Sequence, residues 1–244
     1  LLHGPLRRIL VLPVRDDGER HRKLHLAKRI RGRLERVPTP AGAPVVLIDY
    51  AHTPDALERA IAAGAVFAVS AGNRYIPGTI GNPGVAPSAI TVGATDLRDV
   101  RPQFSSRGPV GGTWQIKPEV SAPGVSILSS MLDGQTIVAS GTSMAAPHVA
   151  GLAALLLEKH PDWTPADVKA AMVSTATPVK LEGTEQFGVI TAGGGRVDAM
   201  RAMESTIAPS TPAVSFGLVP KQSEPFTSTM NVTLTNRGAA EETL

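Results

Sequence analysis

Short apolar runs separated by turn-rich loops dominate the chain from Val45 onward. "VVLI" at 45–48, "AVFAVSAGN" at 65–73 and the stretch around Ala89–Val92 are apolar runs closed by Gly, Asn, Asp or Pro, the pattern of short buried strands. Between them the spacing changes to that of helices. "DALERAI" is amphipathic, and "VAGLAALLLEKH" carries an apolar face and ends on Lys159 and His160. "PDWTPADVKAAMVSTATP" predicts another helix, with Thr164 as its cap, Pro165 at its first position and Asp167 completing a box-like start. Strands alternating with helices predict an α/β fold, a mostly parallel sheet with helices on both faces. Its strands are expected near Val45, Val66, Ile90, Ile127 and Ile137, and the helix after Ser143 is expected to be central and buried. The last 40 residues differ. "AVSFGLVP" and "FTSTMNVTLTNRGAA" alternate polar and apolar residues and read as β-strands. They are too few for a β-sandwich of about 100 residues.

Composition narrows the class. The chain has 244 residues, 42% hydrophobic and 18% charged, enough for one large domain or two small ones. Aromatics make up only 4%, so Ala, Val, Leu and Ile must fill the core. There is no cysteine, which excludes disulfides and thiolate chemistry. The longest strongly apolar run, "VAGLAALLL", is too short to span a membrane. The chain opens "LLHG", without an initiator Met or a signal peptide, and reads as a fragment at both ends. Charge is uneven: the segment up to Val37 carries +7 and the rest −4. Such a basic arm could bind nucleic acid or anionic lipid, but it lacks interleaved aromatics and a nucleic-acid-binding fold. A solvated basic segment is the simpler reading.

The chemistry concentrates in "SGTSMAAPHVAG", Ser140 to Gly151. Gly141 and Thr142 give a small, tight entry to a helix. Ser143 then falls near its first turn, where free N–H groups and the dipole favour developing negative charge. Pro147 is expected close to that first turn, where a missing N–H costs little. A capping serine on a buried helix would have the same local pattern. However, the string resembles the serine motif of the subtilases, the subtilisin-like serine proteases: G-T-S-x-A-x-P-H-V-x-G, with every fixed position present. The resemblance implies that Ser143 is the acyl-enzyme nucleophile and that His148 is structural. "AVFAVSAGN" resembles the subtilase strand that ends at the oxyanion-hole asparagine, which implies that Asn73 donates its side-chain N–H to the tetrahedral oxyanion. "GTIGNPGVAPSAITVGATD", "FSSRGPV", "KPEVSAPGVSILSS" and "GGGRVDAMRAM" follow in family order. The resemblance covers about 60–203.

A serine hydroxyl needs a base to take its proton, and the family supplies Asp and His ahead of the serine in D-[ST]-G and H-G-T-x-V-A-G motifs. Neither pattern is present. Asp49 closes an apolar strand and His52 follows, so Asp49, His52 and Ser143 would preserve the triad order. A His three residues from the Asp has little freedom to hydrogen-bond both partners. "GRLERV…VVLIDYAHTPDALE", about 31–60, instead resembles the C-terminal domain of Mur ligases, ATP-dependent amino-acid ligases. That resemblance implies that Asp49, Tyr50 and His52 lie near a nucleotide. No G-x-x-x-x-G-K-[ST] loop accompanies it. The family's M-S-[LW]-G stretch, one wall of the substrate cleft, is replaced by this segment.

Three parts are therefore expected: a basic N-terminal segment with a Mur-ligase-like strand-turn-helix (1–60), a partial subtilisin-like peptidase domain (61–204), and the start of a fibronectin-type-III-like β domain (205–244). The resemblance implies a serine endopeptidase, incomplete and inactive in this chain for want of recognisable Asp and His motifs. A non-catalytic composite or misassembled fragment and a piece of a Mur-type ligase are the alternatives. Protein or peptide substrates, a monomer and an extracellular location are implied, with no nucleic-acid or membrane partner. No cofactor or metal is required; calcium is allowed by the resemblance alone, since the sequence has no dense Asp/Asn cluster.

Overall fold

The computed structural model describes residues 8–12, 35–37, 45–49, 54–131, 134–181, 188–219 and 226–238. A six-stranded sheet organises them in the order β2-β3-β1-β4-β5-β7. Its strands are β1 (Arg8–Leu12), β2 (Glu35–Val37), β3 (Val45–Asp49), β4 (Val66–Ser70), β5 (Ile90–Thr95) and β7 (Val120–Pro123). The block β4-β5-β7 is parallel, with Ala68 opposite Ile90 and Val92 opposite Val120. On the other side of β4 the pairing is antiparallel: β4 to β1, β1 to β3, and β3 to β2.

The α/β class and the helices on both faces are as the pattern predicts. β4 shows why both faces are covered. Side chains alternate across a strand, so Val66 and Ala68 join one buried cluster while Phe67 and Val69 join another. The first lies under helix α2 (Thr142–Lys159) and the second under α1 (Pro54–Ala62). β5 is buried along its whole length, as a central strand of a covered parallel sheet must be.

Three details differ from the sequence expectation. The sheet has a strand that was not expected, β1, the apolar run inside the basic segment, which lies between β3 and β4. The runs at Ile127 and Ile137 leave the main sheet and pair with each other as β8 (Ile127–Ser130) and β9 (Thr136–Ala139). Only a short connection joins these two, and a short connection imposes antiparallel pairing. The third parallel strand is β7, from "VSAP".

α2 buries Ala145, Val149, Leu152, Ala153, Leu156 and Leu157, the i, i+3, i+4 stripe of a helix packed on a core. It lies across β4, β5 and β7. Helix α3 (Pro165–Ser174) begins as its sequence predicts: Thr164 Oγ1 accepts the Asp167 N–H at 3.2 Å and Asp167 Oδ2 accepts the Thr164 N–H at 2.8 Å. Short helices α4 (Val189–Ala192) and α5 (Ala199–Glu204) follow.

Beneath the sheet, Glu119 carries two cations. Lys117 Nζ lies 2.5 Å and Lys169 Nζ 2.6 Å from Glu119 Oε1. The carboxylate also accepts the Thr91 N–H at 2.8 Å, and Lys117 donates to the carbonyls of Ala86 and Ala89. Burial, opposed by Glu119 and reinforced by Lys169, pushes the Lys117 ammonium down to about 8.

Candidate active site at the start of the buried helix

The parallel strands deliver their carboxyl ends to one edge of the sheet, where ligands of open α/β sheets commonly bind. β4 ends at Ser70 and reaches Asn73 three residues later. β7 ends at Pro123, and the next carbonyl, Gly124 O, accepts the Gly141 N–H at 2.8 Å. That bond sets the residue just before α2 against the end of β7. A Cβ on Gly124 would lie 2.8 Å from Gly141 O, so only glycine allows this approach.

Asn73 and the start of α2 are clamped together. Asn73 Oδ1 accepts the Thr142 N–H at 3.0 Å and the Thr142 hydroxyl at 3.1 Å. Thr142 Oγ1 in turn accepts the Gly72 N–H at 3.1 Å. A backbone N–H can only donate, so the Asn73 atom that faces it is the oxygen. The amide NH2 therefore points away from Thr142. It passes Gly141 so closely that a Cβ there would sit 3.3 Å from Asn73 Nδ2. Thr142 is fully buried, Ser143 half-buried and Asn73 exposed. Asn73 is thus held at the N-terminus of α2 through Thr142, the residue before Ser143. By sequence Thr142 is only a small entry residue to the helix. Its place between Gly141 and Ser143 carried no sign of a partner 69 positions away.

Pro147 requires a correction. It is the sixth residue of α2, beyond the first turn. Its nitrogen stands where a donor to the Ser143 carbonyl would be in an unbroken helix, so that carbonyl lacks its intrahelical bond.

The other sequence candidates are not brought to Ser143 by the described residues. The backbone of Asp49 lies in β3 opposite Arg8. His52 and Tyr50 lie outside the described residues, as do His3, His21 and His25. His148 Nδ1 is 2.9 Å from the Met144 carbonyl on its own helix. His160 stacks on Trp163 at the far end of α2, with ring centroids 4.0 Å apart. Burial and the neighbouring Lys159 lower its basicity. No group of three or more metal-ligating side chains occurs among the described residues. Among them, too, no helix is long and apolar enough to cross a membrane.

A serine and a carboxamide are thus placed at a helix N-terminus, on the carboxyl edge of a parallel sheet. The sequence model of the subtilase family matches residues 42–198, more than half of the chain, and the chain belongs to that family. It is similar to a subtilisin of Bacillus pumilus, 45% identical over 124 residues covering 50% of this chain and 42% of the relative. Subtilisin E of Bacillus subtilis (strain 168) is 45% identical over 124 residues, 31% of its length. The minor extracellular protease Vpr of the same strain is 34% identical over 142 residues, 18% of its length. The chain spans less than half the length of these relatives. The family match begins at residue 42, ahead of the boundary near Ala60 expected from sequence, and takes in Asp49 and His52.

Proposed function

We propose that Ser143 is the nucleophile of a subtilisin-type serine endopeptidase and that Asn73 is its oxyanion donor. The observation that carries this reading is the Asn73 Oδ1–Thr142 clamp at 3.0 and 3.1 Å, which fixes the carboxamide beside Ser143 and turns its NH2 outward. In the reaction, Ser143 Oγ attacks the scissile carbonyl and loses its proton to a base. The carbonyl oxygen takes the negative charge, stabilised by the Asn73 NH2 and by first-turn N–H groups of α2 that have no intrahelical acceptor. Collapse expels the amine and leaves an acyl-enzyme, which water then hydrolyses.

The base and its orienting carboxylate are not assigned to described residues, so Ser143 is poised by geometry and not activated in this chain. Asp49 and His52 remain the alternative pair. The substrates on this reading are proteins or peptides, the chain acts as a monomer with no nucleic-acid or membrane partner, and it works outside the cell, as the minor extracellular protease Vpr is named to do. The divisions at 60 and 204 hold on the same reading, with the C-terminal strands opening a β domain. A Mur-type contribution from 31–60 rests on the "DYAHTP" wording alone. Calcium finds no ready site among the described residues. Asp96, for example, spends its carboxylate on Arg98 and on the N–H groups of residues 98 and 100.

The test is labelling with a fluorophosphonate at neutral pH. The chain alone is expected to remain unlabelled and to hydrolyse no peptide. A chimera that places subtilisin-type Asp and His motifs ahead of Ala65 should be labelled rapidly, and Ser143→Ala should abolish it. Labelling of the chimera that survives Ser143→Ala refutes the nucleophile. Rapid labelling of the chain alone, lost in His52→Ala, would assign the base to His52.

A further inference from the structure

Two arginines behind the Asn73 loop have no counter-charge among the described residues. Arg101, at the end of β6 (Val100–Arg101), is only 2% exposed, and Arg107 is half-buried. Arg101 donates Nη2 to the Ser105 carbonyl. Its Nε and the Nε of Arg107 are buried and find no acceptor in the protein. The acids of the same turn are already engaged, Asp96 by Arg98 and Asp99 by Arg196. Burial first, and then the like charge of Arg107, pull the Arg101 guanidinium down to about 10. It therefore stays charged at neutral pH. The Arg107 guanidinium lies 5.6 Å over the Tyr75 ring. Tyr75 itself has a φ of 67°, an unfavourable backbone for a bulky residue, held by its N–H bond to Phe104 O at 3.1 Å.

A buried guanidinium without a counter-charge, and with its Nε unpaired, is costly. Its planar fork of donors matches two oxygens of a phosphate or carboxylate. We propose that Arg101 and Arg107, walled by Tyr75, form a binding site for an oxoanion of the phosphate or carboxylate type. The site is coupled to the loop that carries Asn73. Ser106 N–H bonds Gly72 O at 2.8 Å, Arg74 N–H bonds Ser106 Oγ at 3.0 Å, and Thr79 N–H bonds Arg107 O at 3.2 Å. Neutralising the arginine pair removes their mutual repulsion and stiffens the strip of backbone on which Asn73 stands.

Thermal unfolding of the whole chain at fixed ionic strength provides the test. One arm titrates inorganic phosphate and the other an acetylated, amidated triglutamate peptide, each against sodium chloride. A saturable rise in Tm is expected, because a ligand that binds only the folded state stabilises it. Arg107→Gln should weaken binding by about tenfold or more, the loss of one charged hydrogen-bonding partner. Arg107→Lys, which keeps the charge and loses the fork, should fall between. Calorimetric titration of the unaltered chain reads the same affinity without any variant. A response to phosphate alone assigns the site to a free ion; a response to the peptide alone assigns it to carboxylates of a polypeptide. No saturable response to either probe, or one unchanged in both Arg107 variants, overturns the proposal.

Discussion

The parallel block and the C-terminal tail use the same kind of sequence and reach opposite ends. In β4, β5 and β7, Val, Ile and Ala are buried on both faces because α1 and α2 cover the sheet. In the tail, β10 (Ile207–Pro209) and β11 (Leu234–Asn236) pair antiparallel. Val214, Phe216, Leu218, Met230, Val232 and Leu234 are all exposed, between 38% and 57%. These six fall on alternate positions within their runs, but 213–219 form no strand, with Gly217 at a φ of 69°, and of the second run only Leu234–Asn236 does. Alternation favours a strand with one apolar face; it does not supply the second layer. The tail is instead anchored by polar contacts. Arg237 bonds Asp167 at 2.5 Å and lies 5.5 Å over the Trp163 ring.

The largest effects should therefore come from the covered block. Removing the carboxylate of Glu119 leaves two buried ammonium groups without an anion, so Glu119→Gln is expected to destabilise the chain by about 3–5 kcal/mol. Leu156, fully buried between α2 and the sheet, should cost about 2–5 kcal/mol as Leu156→Ala. Urea unfolding measures both. A loss under about 1 kcal/mol in each would mean that the block is not the stabilising unit of the chain.

The same ion cluster gives the block a pH signature. Lys117 is held near 8 when folded, against 10.5 in its unperturbed state. Between these values the unfolded chain binds more protons than the folded one, so stability attributable to Lys117 rises as pH increases from about 8 to 10.5. The difference in unfolding free energy between the natural chain and Lys117→Met should grow across that window. A flat or falling difference removes the depressed ammonium from the account.

Much of the block was legible in sequence and little of the tail's packing was. The run at Ala65–Val69 and the Thr164-Pro165-Asp167 start mark β4 and α3 through local rules, periodicity and capping, that act over a few residues. Ser143 and Asn73 stood out as candidates through the motifs around them. The Thr142 clamp did not, because a threonine hydroxyl reaching Asn73 across 69 positions is a tertiary fact. The same holds for β1. Its apolar run is readable, but nothing local says that it inserts between β3 and β4. Ile127 and Ile137 read as strands and are strands; their sheet is not legible locally, because pairing depends on the length of the connection and on what covers each face.

Smaller effects separate the two regions at their junction. Thr164→Ala removes both halves of the hydroxyl's exchange with Asp167 and should cost about 1 kcal/mol. Asp167 is itself held below the usual carboxylate range: burial acts against this, but the bonds from Thr164 and Arg237 outweigh it. Its contribution is therefore present above the ordinary carboxylate pKa and is lost as pH falls through the lower folded value. Arg237→Ala should match part of that loss and weaken the acid-side dependence without abolishing it, because the Thr164 bonds to Asp167 persist. A Thr164→Ala variant as stable as the natural chain would show that α3 is fixed by the core alone.

The smallest expected effects lie on the exposed tail, and they test the comparison most directly. Phe216 is 46% and Leu218 57% exposed. Replacing either with Ser removes little buried area, so stability should change by less than about 0.5 kcal/mol. A side chain of that size buried in the block would cost several times more. Equilibrium unfolding of Phe216→Ser and Leu218→Ser at two protein concentrations distinguishes the outcomes. Losses of about 2 kcal/mol or more at both concentrations would show that the tail is packed within the chain and that the contrast fails. A loss that appears only at the higher concentration would show that the face is covered by a second copy, since stabilisation by association depends on concentration. Near-zero change at both leaves the tail as an uncovered apolar segment held to the block through Arg237, Trp163 and Asp167.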